Sequence, residues 1–103
     1  MKDKNKILNK ISSALNANDL ETARKLIEND LKRVGSREEY YFYLALTTKD
    51  LNKKLELYTQ ALNLNEKYLD AWINRGLVNN ELGNYEASIK DYDKAIELDS
   101  KCA

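Results

Sequence analysis

The feature that most constrains this chain is a repeat. Tyr58, Ala61 and Leu64 return thirty-four positions later as Tyr92, Ala95 and Leu98, and Lys49-Asp50-Leu51 returns as Gly83-Asn84-Tyr85. Repeats of this length are built from units that cannot bury their apolar faces alone and must stack on their neighbours. Inside the last unit the spacing is helical: Tyr85, Ile89, Tyr92 and Ile96 fall at i, i+4, i+7 and i+11, one apolar stripe. Ser88 and Ala95 flank the stripe and are small, so a neighbouring helix is expected to come close there. Lys90, Asp91, Lys94 and Glu97 are expected mostly on the wet side. The preceding stretch carries Ala71, Trp72, Gly76, Val78 and Leu82. Glycine in a helix interior costs about 1 kcal/mol relative to alanine, so Gly76 is expected where a bulky side chain of the partner helix fills the space. Gly83 suits the left-handed residue that ends a helix, and Asn84 can cap the next one.

These residues carry a resemblance. The stretch from Ala71 to Leu98 resembles a tetratricopeptide repeat, whose pattern is W-x₂-L-G-x₂-Y, then A-x₃-F, then P. Trp72, Gly76 and Tyr92 match it, Ala95 is the small residue that commonly follows, and Gly83, Tyr85 and the run 95–99 are typical. Arg75 stands for Leu, Asn79 for Tyr, Ser88 for Ala and Ser100 for Pro, each a departure that is tolerated singly.

The rest of the chain reads as earlier, more divergent units. Ile7, Leu8, Ile11, Ala14 and Leu15 give one apolar face to a helix from about Lys4 to Asn16. Asn18 or Asp19 can cap the next, which carries Leu20, Ala23, Ile27, Leu31 and Val34 and ends at Gly35. Ser36-Arg37-Glu38-Glu39 is a capping box for a third helix running to about Thr47. The run from Tyr40 to Leu46 is apolar all round, and the capping box decides for a buried helix over a short strand. Asp50 caps a fourth helix carrying Leu51, Leu55, Tyr58 and Leu62, and Asn65 can cap a fifth, from near Glu66 to Leu82. The expected architecture is a single all-α domain, an α-α superhelix of three helix-turn-helix repeats with about six helices. The repeats fall at roughly 4–34, 35–68 and 69–102.

Composition narrows the chemistry. The 103 residues include no proline, three glycines, one cysteine and no histidine, with seventeen acidic and seventeen basic side chains. Without histidine the commonest general base is missing. Cys102 forms no thiolate cluster and reads as a bystander. The glycines are too scattered for a phosphate loop. Carboxylate pairs such as Asp91/Asp93 and Glu38/Glu39 read as solvated surface or caps. No enzyme, cofactor or metal site is expected. A balanced charge gives little hold on phosphate backbones, so no nucleic-acid partner is expected either. No apolar run has the length of a transmembrane helix or signal peptide, which points to a soluble, cytoplasmic protein that does not engage membranes.

Protein binding remains. In the proteins this one resembles, the first helices of successive repeats line a concave groove for an extended peptide or a partner's helix. The resemblance carries that role to Asn5, Asn9, Tyr40, Tyr43, Asp70, Ile73, Asn74 and Leu77. Leu8, Ser12, Glu39, Leu46 and Asn80 lie at neighbouring groove positions. Amides can hydrogen-bond any peptide backbone, and aromatics add contact area at low entropic cost. Tyr58 and Tyr92 read as inter-helix packing. One subtype of the family grips a C-terminal carboxylate through Lys, Asn and Arg. Asn74 has the matching Asn position, but the partnering cations are missing, so no such clamp is expected. The alternative is a self-associating module, a homodimer through the last repeat, or a fragment of a larger regulatory protein.

Overall fold

Six helices among the described residues follow from the apolar spacing. The computed structural model describes residues 2–102, with side chains from Asp3 to Ser100, so the expectation for Cys102 lies outside them. The helices are α1 (Lys2–Asn16), α2 (residues 20–34), α3 (Arg37–Leu46), α4 (Leu51–Leu64), α5 (Leu69–Glu81) and α6 (Tyr85–Cys102). They pack as three consecutive hairpins, α1 on α2, α3 on α4 and α5 on α6, with α5 also covering α4. The tyrosine run is helical, and no described helix is long and apolar enough to cross a membrane.

Local signals set most boundaries. Asn18 takes a positive φ of 59° and Asp19 caps α2, its carboxylate accepting from Thr22 N at 3.2 Å. Ser36 and Glu39 form the reciprocal capping box at the start of α3. Asp50 accepts from Asn52 N and Lys53 N at the start of α4. Gly83 has φ 84°, the left-handed turn between α5 and α6.

Three local expectations change. Asn65 closes α4 instead of capping α5: its N–H donates to Ala61 O at 2.9 Å, and its Oδ1 accepts from Lys67 N. The helix α5 therefore starts at Leu69. Gly35 is extended, at φ −92° and ψ 173°, so it does not end α2 through a left-handed turn. Its value is space, since a Cβ there would lie 2.9 Å from Leu31 O. Within α2, Ile27–Leu31 widen into a π turn that the apolar spacing does not announce. Ile27 and Leu31 are both fully buried there, against Ile7 and Ile11.

The larger core lies between α3, α4 and α5. Ala45, Ala61 and Ala71 have no exposed surface, so three backbones come close, and Phe42, Leu57, Tyr58, Leu62 and Val78 fill the seam. Tyr43 and Leu44 pack against both this cluster and the α1–α2 cluster, joining them.

In α6 three of the four stripe residues point the other way from the expectation, and only Tyr92 packs between the helices. Tyr85, Ile89 and Ile96 are 64%, 59% and 63% exposed, whereas Ser88, Asp91 and Ala95 are buried. The α5–α6 contact is too close for large side chains: Ser88 Oγ donates to the Gly76 carbonyl at 2.8 Å. The Tyr92 ring occupies the space a side chain at Gly76 would need, Cε1 standing 2.7 Å from an ideal Cβ. Gly76→Ala should therefore destabilise the chain. The propensity gain of about 1 kcal/mol is outweighed by overpacking of about 1–3 kcal/mol. A thermal melt should show a midpoint lower by roughly 5 °C; an unchanged or higher midpoint would contradict the packing of Tyr92 on Gly76.

Candidate functional site

A cleft forms where the first turns of α1, α3 and α5 meet. Lys4, Ser36, Glu38, Glu39, Tyr43, Asn65, Tyr68 and Asp70 line it. The capping box fixes Glu39, whose Oε1 accepts from Ser36 N at 3.1 Å and from Lys4 Nζ at 2.9 Å. One ion pair thus ties the first repeat to the second. Burial pushes the Glu39 pKa up, but the Ser36 amide, the Lys4 ammonium and the Ser36 hydroxyl outweigh it and hold the carboxyl below its ordinary 4.5. Tyr43 is a half-buried part of the lining, its ring edge-on to Phe42 at 5.2 Å. Its pKa is raised, first by burial and then by the charges of Glu39 and Asp70, so it stays a neutral hydrogen-bond donor. Lys4 is already paired with Glu39, which leaves Glu38 and Asp70 to make the mouth acidic.

The expected groove residues divide among several surfaces. Tyr43 and Asp70 share the cleft. Asn74 lies one turn along α5, with an amide proton donated to Asp70 O at 2.8 Å. Asn5 and Leu77 are exposed on α1 and α5. The other three lie elsewhere. Asn9 lines a cleft between α1 and α2 with Asp19, Thr22 and Leu26. Tyr40 faces the α2–α3 side, with Lys32 Nζ 6.0 Å from its ring centre. Ile73 lies beside Tyr92 and Ile96 at the α6 end.

A second constellation went unread in the sequence. Asp91, expected in solvent, is 3% exposed. It accepts from Arg75 Nε at 3.1 Å, from Arg75 Nη2 at 2.8 Å and from Asn79 Nδ2 at 2.8 Å. Arg75 Nη1 donates to Thr59 Oγ1 on α4 at 3.3 Å, and its guanidinium stacks on Trp72 at 4.9 Å. Two departures from the repeat pattern, Arg75 and Asn79, are thus one polar unit with Asp91. The available signal was opposite charge at two inward hairpin positions, sixteen residues apart.

With this geometry in place, the comparisons with known proteins agree. The sequence model described as "Tetratricopeptide repeat" matches residues 69–102. The chain is 39% identical over 79 residues to a UDP-N-acetylglucosamine--peptide N-acetylglucosaminyltransferase of Giardia intestinalis, covering 71% of this chain and 5% of that protein. It is 39% identical over 54 residues to Hsp70-Hsp90 organizing protein 3 of Arabidopsis thaliana, covering 52% of this chain and 10% of that one. The chain therefore spans a small fraction of these curated relatives. The crystal structure of MamA superposes with a TM-score of 0.74 at 19% identity, over 93% of this chain and 58% of that chain, a likeness of fold.

Two outcomes are expected. Asp91→Ala leaves the Arg75 guanidinium without its carboxylate and should lower stability by about 2–3 kcal/mol in urea denaturation. Adding Arg75→Leu and Asn79→Tyr should recover most of it, because an apolar seam can replace a buried ion pair; no recovery would mean the network does more than fill the seam. For Glu39 the pKa is lower in the folded state than in the unfolded one. Its contribution is present above about pH 4.5 and fades as pH falls through the folded value. The wild type should therefore lose more stability than Glu39→Gln on acidification from about pH 5 to 3, and identical pH profiles would contradict the Lys4–Glu39 tie.

Proposed function

Because the chain belongs to the tetratricopeptide repeat family, we propose that it is a non-catalytic scaffold that holds an extended peptide or protein segment along α1, α3 and α5. The observation that supports this reading is the cleft itself: a half-buried tyrosine in a mostly polar lining to which all three first helices contribute. Tyr43 offers a rigid ring and a neutral hydroxyl donor, and Asn5 and Asn74 offer amides to a passing backbone. The acidic mouth left by Glu38 and Asp70 favours a neutral or basic segment over a C-terminal carboxylate. The relative named for organizing Hsp70 and Hsp90 supports a protein-binding task. The named transferase is matched over 5% of its length, which carries no transferase chemistry to this chain. Balanced charge favours a protein partner over nucleic acid.

An array of random-sequence extended peptides tests this reading. Wild-type chain should retain neutral or basic peptides carrying an apolar anchor. Tyr43→Ala should weaken the retained peptides at least tenfold, the loss expected for a central aromatic contact of about 1.4 kcal/mol or more. Asn74→Ala should weaken them by about threefold, one peptide hydrogen bond. Retention unchanged in both variants, with helicity intact, would remove these residues from the binding face.

A further inference from the structure

The two ends of the stack differ. Six large apolar side chains are well exposed among the described residues, and four of them, Ile73, Tyr85, Ile89 and Ile96, lie on the α5–α6 end. None belongs to α1 or α2. The α6 end is therefore a row of apolar projections, rimmed by Glu86 and Asp93 with Lys90 between them. The α1 end is instead a cleft, lined by small residues Ser13, Ala14, Ala17 and Thr22 over Leu26, with exposed Lys6 and Lys10 and the acid Asp19.

The molecule shows how such an apolar row is covered. Thirty-four residues before Tyr85, Ile89, Tyr92, Asp93 and Ile96 stand Leu51, Leu55, Tyr58, Thr59 and Leu62 on α4. Those α4 side chains are packed under α5, and Arg75 of α5 reaches Thr59. At the offset that sets Asp19-Leu20 on Asn84-Tyr85, α1 has Lys10 where α5 has Arg75, Ser13 for Val78 and Ala17 for Leu82. A cation at Lys10 would then meet Asp93 where Arg75 meets Thr59. Lys6 stands at the place of the fully buried Ala71, so α1 would sit farther out than α5 does, with the Lys6 stem lying along the contact and its ammonium in water. Pairing two α6 ends about a twofold axis would bury the same apolar row but leave Lys6 and Lys10 of α1 without a part in the contact.

We propose that the α6 end of one chain docks on the α1 end of a second copy, head to tail, with Ile89 and Ile96 over the Ser13–Ala17 cleft and Lys10 against Asp93. Such a contact does not close on itself, so assemblies lengthen with concentration.

Sedimentation equilibrium across concentration tests the proposal with four samples: wild type, two single variants and their mixture. Wild type should rise past the mass of a dimer. Ile89→Glu blocks the α6 end and Ala17→Glu the α1 end. Both positions are exposed, so circular dichroism should show unchanged helicity, and each variant alone should remain a monomer. Mixed, the two variants should form pairs and stop there, since each keeps one intact face. Wild type that stays monomeric to about 1 mM would overturn the proposal and leave the face to another partner. Ala17→Glu that still dimerises would also overturn it, in favour of α6 pairing with α6.

Discussion

Close approach of α3, α4 and α5 at three alanines is the constraint on which the remaining structure depends. Ala45, Ala61 and Ala71 have no exposed surface. Side chains of that size let helix axes approach, and the space between is filled from the flanks. Phe42 is the hub, with its ring 5.7 Å from Tyr58 and 4.9 Å from Tyr68. Tilted aromatic pairs at such distances add to simple area burial. Burial alone drives the Tyr58 pKa well above the ordinary tyrosine value, and it does the same, with help from nearby acids, at Tyr68. Both rings thus work as neutral packing elements.

From that seam the stack extends by two different devices. Toward the start of the chain it is mainly apolar, with Tyr43 and Leu44 bridging to Ile7, Ile11, Ile27 and Leu31 and the Lys4–Glu39 pair at the edge. Toward the end it is mixed. The α5–α6 hairpin closes on Gly76, Ser88 and Ala95, beside the Arg75–Asn79–Asp91 unit. An apolar contact tolerates sliding, whereas a bidentate guanidinium–carboxylate pair fixes one register. Arg75 also reaches Thr59, so the same group orients the second hairpin against the third.

Much of this was legible from local rules. The capping box at Ser36, the cap at Asp50 and the turn at Gly83 each need only a few neighbouring residues, and Gly76 announced a bulky neighbour without naming Tyr92. The thirty-four-residue recurrence identified α4 and α6 as equivalent helices of successive repeats. What the sequence hid were pairings across a hairpin. Arg75, Asn79 and Asp91 look like unrelated substitutions until the helices fold together. The Tyr85–Ile96 stripe was correctly helical, but periodicity says that a face is apolar and not what covers it. Dividing the expected groove residues followed from the same limit: Tyr40 and Tyr43 are one turn apart in sequence yet line different clefts.

If stability is centred on the alanine seam and falls off toward both ends, amide hydrogen exchange resolved by residue reads it most directly. Stacked repeats open from their ends, since each unit leans only on its neighbours. The account predicts slowest exchange at the buried faces of α3, α4 and α5, faster exchange in α1, and the fastest helical amides in the last turns of α6. Slowest exchange in α1 or α6, or one uniform rate across all helices, would contradict it.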